Sequence, residues 1–286
     1  MKRENTSPDQ EPKQKKTIKG VVNGMFSEGS GLMNTLNGLA DFMLVNLSFL
    51  FCCLVPLGLV VVMFAFSQPL IDSGFTFVIY ILFFLAIAAS VLIGAASPAL
   101  FTAGAAWVKK ESSGLSDFWR CFKRSFRGSI APWFIAFFAG AFLAAALYTV
   151  IKNPEMPAAG LMVVFILMFA VLFLAMYVNL FPFYSRFNCT TYQLFTNALV
   201  SGLSHPLRTI VMMALTALPW VLLAGFPDLL LAAFPVWAFA YFSLRAYFSM
   251  LLLRAPYERY ADLVNKRRRE AEKSLPESDA PQEGKD

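Results

Sequence analysis

Apolar runs long enough to cross a bilayer recur along this chain, and they limit what it can fold into more than any motif does. About 20 apolar residues in a helix cover the roughly 30 Å hydrocarbon core of a membrane. Six stretches meet that need: Phe42 to Phe66, Phe75 to about Ser97, Pro132 to Ile151, Ala158 to about Phe181, Leu207 to Ala224, and Leu229 to about Leu251. The composition agrees, with 58% apolar and 15% charged residues and a mean hydropathy of +0.59, outside the usual range of soluble domains. The expected fold class is all-α, a polytopic transmembrane helical bundle of about six spans.

Charge orients the spans. The connections SQPLIDSG, KNPEMP and GFPD carry one Lys and three carboxylates between them, whereas the alternate loops and both tails hold nearly all the Lys and Arg. The bias of basic residues to the inner side of a membrane then places both termini in the cytosol. The formal net charge of +6 would point to nucleic acid in a soluble protein. Here the cations sit beside apolar spans and converge on no groove-sized element, so no nucleic-acid partner is expected.

The widest polar island, Lys109 to Ile130, reads KKESSGLSDFWRCFKRSFRGSI. On a helix, Leu115, Phe118, Trp119, Phe122, Phe126 and Ile130 share one face, and Arg120, Lys123, Arg124 and Arg127 occupy the rest. This is the pattern of an amphipathic helix in the membrane interface, with rings in the acyl boundary and cations among anionic headgroups. Phe118, Trp119, Arg120, Phe122 and Arg124 are the candidate interfacial docking residues. A second cytosolic interfacial helix is expected between Pro182 and Pro206, with Tyr192, Phe195, Leu199 and Leu203 as its stripe. At an offset of 74 residues, Phe118 meets Tyr192, Gly128 meets Gly202 and Pro132 meets Pro206, so both loops end in Gly-x-x-x-Pro, three matches that read either as a parallel repeat or as coincidence.

Other punctuation follows from proline. Phe75 to Val108 as one helix would extend about 50 Å at 1.5 Å per residue, and Gly94 with Ser97-Pro98 marks the expected break. Residues 1–38 form a polar tail expected to be disordered and cytosolic, 39–254 the transmembrane domain, and 255–286 a short cytosolic helix from Tyr257 to about Lys273 followed by a disordered tail. The first apolar run is too long for a signal peptide and lacks its cleavage site. Cys52, Cys53, Cys121 and Cys189 have no spacing of a disulfide framework or metal cage, so free thiols are expected.

Chemistry is sparse. No carboxylate lies in mid-span, and Asp41 and Asp228 stand only at span ends, which weighs against a proton-coupled or sodium-coupled carrier. No GxxxxGK[ST], GxSxG, HExxH or paired CxxC motif occurs, and the one histidine, His205, precedes Pro206 at the start of a span. Neither enzyme activity, a catalytic set, a metal site nor a cofactor is expected. The polar groups that remain at membrane depth or its interface are Asn46, Asn179, Arg186 and Arg245, with interhelical hydrogen bonding, topological anchoring or ligand contact as their open roles.

Three stretches resemble the YesL-like family of bacterial integral membrane proteins, defined by a domain of unknown function. They are NLSFLFCCLVP from Asn46 to Pro56, IGAASPALFTAGAAWVKKE from Ile93 to Glu111 with the basic loop after it, and YVNLFPFYSRFNCTTYQLFTNALVSGLSHPLRT from Tyr177 to Thr209. One departure stands out. In the family the Leu-Pro element and the Gly turn are close together, whereas here the Pro56 to Ile93 segment separates them with an extra apolar run. The resemblance implies a multi-pass protein of the inner cell membrane with no established activity, similar to proteins often encoded near carbohydrate importers. The expected function is a non-enzymatic accessory or scaffold for solute uptake, of carbohydrate by that resemblance. Its expected partners are anionic lipid headgroups and components of a carbohydrate ABC transporter. The alternative is a transporter or ABC-type permease subunit that moves a small solute itself. TNALVSG, Thr196 to Gly202, has the Ala and Gly of a permease coupling loop but lacks its leading Glu.

Overall fold

The computed structural model describes residues 31–274, apart from 112, 188, 227, 229–234 and 236. The chain divides into two compact units, Met1–Asp41 and Phe42–Asp286. Residues 31–41, the described part of the first unit, are the opening turns of a helix, and 31–38 are therefore helical where a disordered tail was expected. The expected tails at 1–30 and 275–286 lie outside the described residues.

The fold is an all-α bundle. In chain order the helices are α1 (Gly31–Asp72), α2 (Thr76–Ala89), α3 (Val91–Val108), α4 (Leu115–Lys152), α5 (Ala159–Tyr184), α6 (Thr191–Ser204) and α7 (Pro206–Gly225); a π-helical turn, Trp237–Tyr241, then leads into α8 (Phe242–Ser274). Among the described residues, four helical stretches are long and apolar enough to cross a membrane, namely Leu36–Asp72, Thr76–Val108, Leu115–Lys152 and Ala159–Tyr184. A fifth is obtained when α6 and the first part of α7, bent by 108° at His205, are taken as one broken span. The expected sixth run, 229–251, begins on residues outside the described set, and its later part is the π-helical turn and the start of α8.

The core is built on α3. Ala95, Ala96, Ala99, Leu100 and Ala103 are each at most 1% exposed, and α3 packs on both α4 and α8. Small side chains make this possible, because helices in an apolar setting gain most from close backbone approach. A Cβ at Gly104 would lie 2.8 Å from the Ala246 carbonyl carbon, and one at Gly94 would lie 2.7 Å from Trp133 Cβ. Gly94 is thus a packing residue, and Pro98 is accommodated inside α3.

The interruption comes earlier than the sequence indicated, at Ser90. Its hydroxyl donates to Ile87 O at 2.6 Å and accepts from Trp133 Nε1 at 2.9 Å. A serine side chain competing for backbone groups is a known source of local helix disruption. The Pro56 to Ile93 segment is helical except at 73–75, where Gly74 takes φ +80°, and at Ser90. It completes α1 and supplies α2. Phe64, Phe66, Phe77, Tyr80 and Phe84 in it are all more than half exposed, an outward apolar surface that suits a bilayer and not water.

Candidate functional site

Arg245 sits at the end of the first turn of α8, partly buried, with its guanidinium carbon 5.9 Å from the Phe101 ring centroid. No carboxylate pairs with it among the described residues. It borders a cavity of about 420 Å³ whose walls come from α1 (Phe49, Cys53), α3 (Ser97, Phe101), α4 (Trp133), α5 (Tyr177, Phe181), α7 (Thr216, Pro219) and the π-helical turn (Tyr241). Six elements converge on one cation.

Local chemistry explains why the walls hold their shape. The Trp133 ring is fixed by its N–H bond to Ser90 Oγ, and it packs against Phe181 with centroids 6.1 Å apart. Thr216 Oγ1 donates to Met212 O at 2.8 Å, one turn back in α7. Tyr241 Oη donates to Leu215 O, tying the π-helical turn to α7. Such turns are frequent at functional sites. A second cavity, of about 580 Å³, shares Trp133, Tyr177 and Thr216 with the first and continues along α4 and α5 past Ala136, Gly140 and Phe173.

Of the polar residues named from sequence, only Arg245 lines this cavity. Asn46 is fully buried on α1, and its Oδ1 accepts from the Ser243 backbone N–H at 2.9 Å. That N–H lies in the first turn of α8, where helix donors have no partner in their own helix. Ser243 Oγ adds a bond to Phe42 O at 3.0 Å. Asn46 therefore fastens α1 to the start of the helix that carries Arg245. Asn179, also fully buried, instead donates to Ala175 O of its own helix at 2.8 Å, and its Oδ1 has no partner among the described residues. It abuts Gly202 of α6. Arg186 follows the end of α5 and is exposed, lining a separate pocket with Lys109, Arg254 and Tyr257.

The docking residues fall apart into two groups. Phe118 is 1% exposed and packs in the protein core, with Trp119 and Phe122 half-buried beside it. Arg120 and Arg124 are exposed, and Arg120 pairs with Asp117 at 3.3 Å. The aromatic face expected to enter the acyl boundary is thus largely covered by protein, leaving the cationic face outward. The segment is also not a separate helix: α4 is continuous for 38 residues with Pro132 inside it. The carbonyl that a proline ring crowds belongs to the residue four earlier, here Gly128, whose backbone tilts readily.

The offset partner behaves differently. At the second Gly-x-x-x-Pro, His205 leaves the helical region (φ −133°, ψ 64°) and Pro206 opens a new helix, as a residue before proline favours. Thr209 Oγ1 then bonds Gly202 O at 2.9 Å across the corner. The start of α6 is set by a capping box between Thr190 and Gln193. Its buried face is Leu194, Ala198 and Gly202 against α5, while Tyr192 is 80% exposed. Phe118 and Tyr192 hold the same place in the offset and opposite places in the fold.

Sequence reasoning missed the aromatic walls because Phe, Trp and Tyr in apolar runs are the ordinary content of membrane helices. Tyr177 and Tyr241, polar-tipped rings within apolar stretches, were the one available signal. No family model matches this chain, nor does any curated protein or solved structure.

Proposed function

We propose that this chain is a multi-pass protein of the inner cell membrane, non-enzymatic, that binds a small solute in the Arg245 cavity as an accessory or scaffold of solute uptake. The observation that carries this reading is the guanidinium without a carboxylate among aromatic walls. A cation at apolar depth is costly unless a counter-charge reaches it, and guanidinium pairs bidentately with carboxylate or phosphate. The Phe101 ring lies 5.9 Å from it, and Trp133, Tyr177 and Phe181 line the same cavity with aromatic rings. The fitting ligand joins an anionic group to a ring-shaped or apolar body, and an acidic saccharide is the class that also agrees with the resemblance to the YesL-like family. The cavity's titratable residues are Cys53, Tyr177, Tyr241 and Arg245. No Asp, Glu or His lines the cavity among the described residues, which supports binding over catalysis.

Calorimetric titration of the detergent-solubilised protein with acidic and neutral oligosaccharides tests this. Binding of the acidic ones only, lost in Arg245→Gln, is the expected result; equal binding of both, or none of either, overturns it.

A second reading, a transporter in its own right, is favoured by the π-helical turn bordering the cavity, since irregular helices frame substrate sites in carriers. Accumulation of labelled saccharide by proteoliposomes holding this protein alone would establish it over the accessory role.

A further inference from the structure

A third pocket, of about 420 Å³, lies where the end of α3, the residues after α5 and the middle of α8 meet. Lys109, Arg186 and Arg254 line it from three different elements, with Glu258 as its one carboxylate. Glu258 is engaged by Arg254 at 3.0 Å, and Lys109 and Arg186 have no ion pair among the described residues. Three cations against one carboxylate leave a positive excess. Cations beside apolar helices commonly serve as topology signals, but such a role needs neither a common cavity nor a buried polar group.

Tyr257 supplies that group. It is 6% exposed, it lines the pocket, and its hydroxyl has no hydrogen-bond partner among the described residues. Buried hydroxyls nearly always find a partner. Its ring is held edge-on by Phe183 and Phe187, with centroids 5.8 Å and 5.5 Å away. Burial pushes the phenol well above the usual tyrosine range, with Arg186 opposing, so at neutral pH it is an O–H donor.

We propose that this pocket binds a phosphate group, with Arg186, Arg254 and Lys109 neutralising its charge and the Tyr257 hydroxyl donating to one of its oxygens. Planar guanidinium forks match phosphate oxygens, and a lysine adds a point charge. The phosphate belongs either to an anionic phospholipid headgroup or to a free phosphate-bearing solute. The proposal does not depend on the Arg245 cavity, which is lined by other residues.

Thermal unfolding of the full-length protein in detergent, at constant ionic strength, tests it with three additions: phosphatidylglycerol, phosphatidylcholine and inorganic phosphate. Phosphatidylglycerol is expected to raise Tm more than phosphatidylcholine does. A matching rise with inorganic phosphate assigns the site to free phosphates, and its absence assigns it to the lipid; both outcomes support the site. Tyr257→Phe removes one charge-assisted hydrogen bond and is expected to weaken the response about tenfold in half-saturating concentration. Arg186→Gln should do at least the same, and Lys152→Gln, at an exposed cation that lines neither pocket, should leave the response unchanged. Tyr257→Phe deletes an unpartnered hydroxyl, so it should fold as well as the parent without additive, and it decides the matter alone if Arg186→Gln does not fold. No selective rise in Tm, an unchanged response in Tyr257→Phe, or loss of the response in Lys152→Gln overturns the proposal.

Discussion

Asn46 and Asn179 are both fully buried, yet they do different work, and single substitutions should separate them. Asn46→Leu strands the Ser243 N–H at the start of α8 and should cost about 1–3 kcal/mol, the usual penalty for orphaning a buried donor. The measurement is denaturant unfolding in detergent micelles, and a loss below about 0.5 kcal/mol would show that the bond to Ser243 contributes little. Asn179→Leu removes a bond within α5 and an unpartnered oxygen, so its effect should be smaller. Phe118 and Tyr192 give a second contrast. Phe118→Ala should destabilise by about 3–5 kcal/mol, as expected for a large side chain deleted from a packed core, whereas Tyr192→Ala, at an 80% exposed position, should change stability by less than about 0.5 kcal/mol. Similar losses at the two sites would show that Tyr192 does not hold the exposed position assigned to it. Cys189 lies outside the apolar helices, and burial raises its pKa. A raised pKa leaves less thiolate at neutral pH, so its alkylation should be slower than that of free cysteine and should accelerate as pH rises, as peptide mass spectrometry would show.

Elements join by close approach here, and that was only half legible. The existence of apolar helices could be read directly from run length, and the amphipathic pattern of Leu115 to Ile130 correctly marked a helix. What the pattern could not give was the environment of each face. An aromatic stripe has the same period whether it meets lipid or protein, and α4 covers most of its stripe with protein. Likewise the stripe named for α6 is not its buried face, because Gly202 lets α6 approach α5 at Ala175. A Cβ there would stand 2.8 Å from the Ala175 carbonyl oxygen. Gly202→Val should therefore cost about 1–3 kcal/mol by overpacking, read as a fall in Tm, while Gly225→Val, with open space around it, tests what a valine costs without the clash. The two Gly-x-x-x-Pro elements show the same division. Proline and glycine spacing is identical, and only the residue before each proline, helical at Ala131 and non-helical at His205, decides whether one helix continues or two begin.

For the molecule as a whole, the inside-positive charge bias predicts a topology that labelling can check. Ser73 and Ser116 are exposed and fall in connections expected on opposite sides of the membrane. In intact cells, an impermeant thiol reagent should modify Ser73→Cys and spare Ser116→Cys; the reverse pattern would overturn the placement of both termini in the cytosol. If the cationic face of α4 meets anionic lipid or a partner there, Arg120→Glu with Arg124→Glu should weaken binding to anionic vesicles, most at low salt where surface charge is least screened, without lowering Tm. Composition and run length by themselves determined the class of this protein and most of its helices, because burying backbone in an apolar medium leaves helices as the economical answer. The tertiary structure alone decided which side chains face one another. The Arg245 cavity and the Lys109, Arg186 and Tyr257 pocket each draw residues from helices far apart in the chain, and no periodicity within a single helix carries that information.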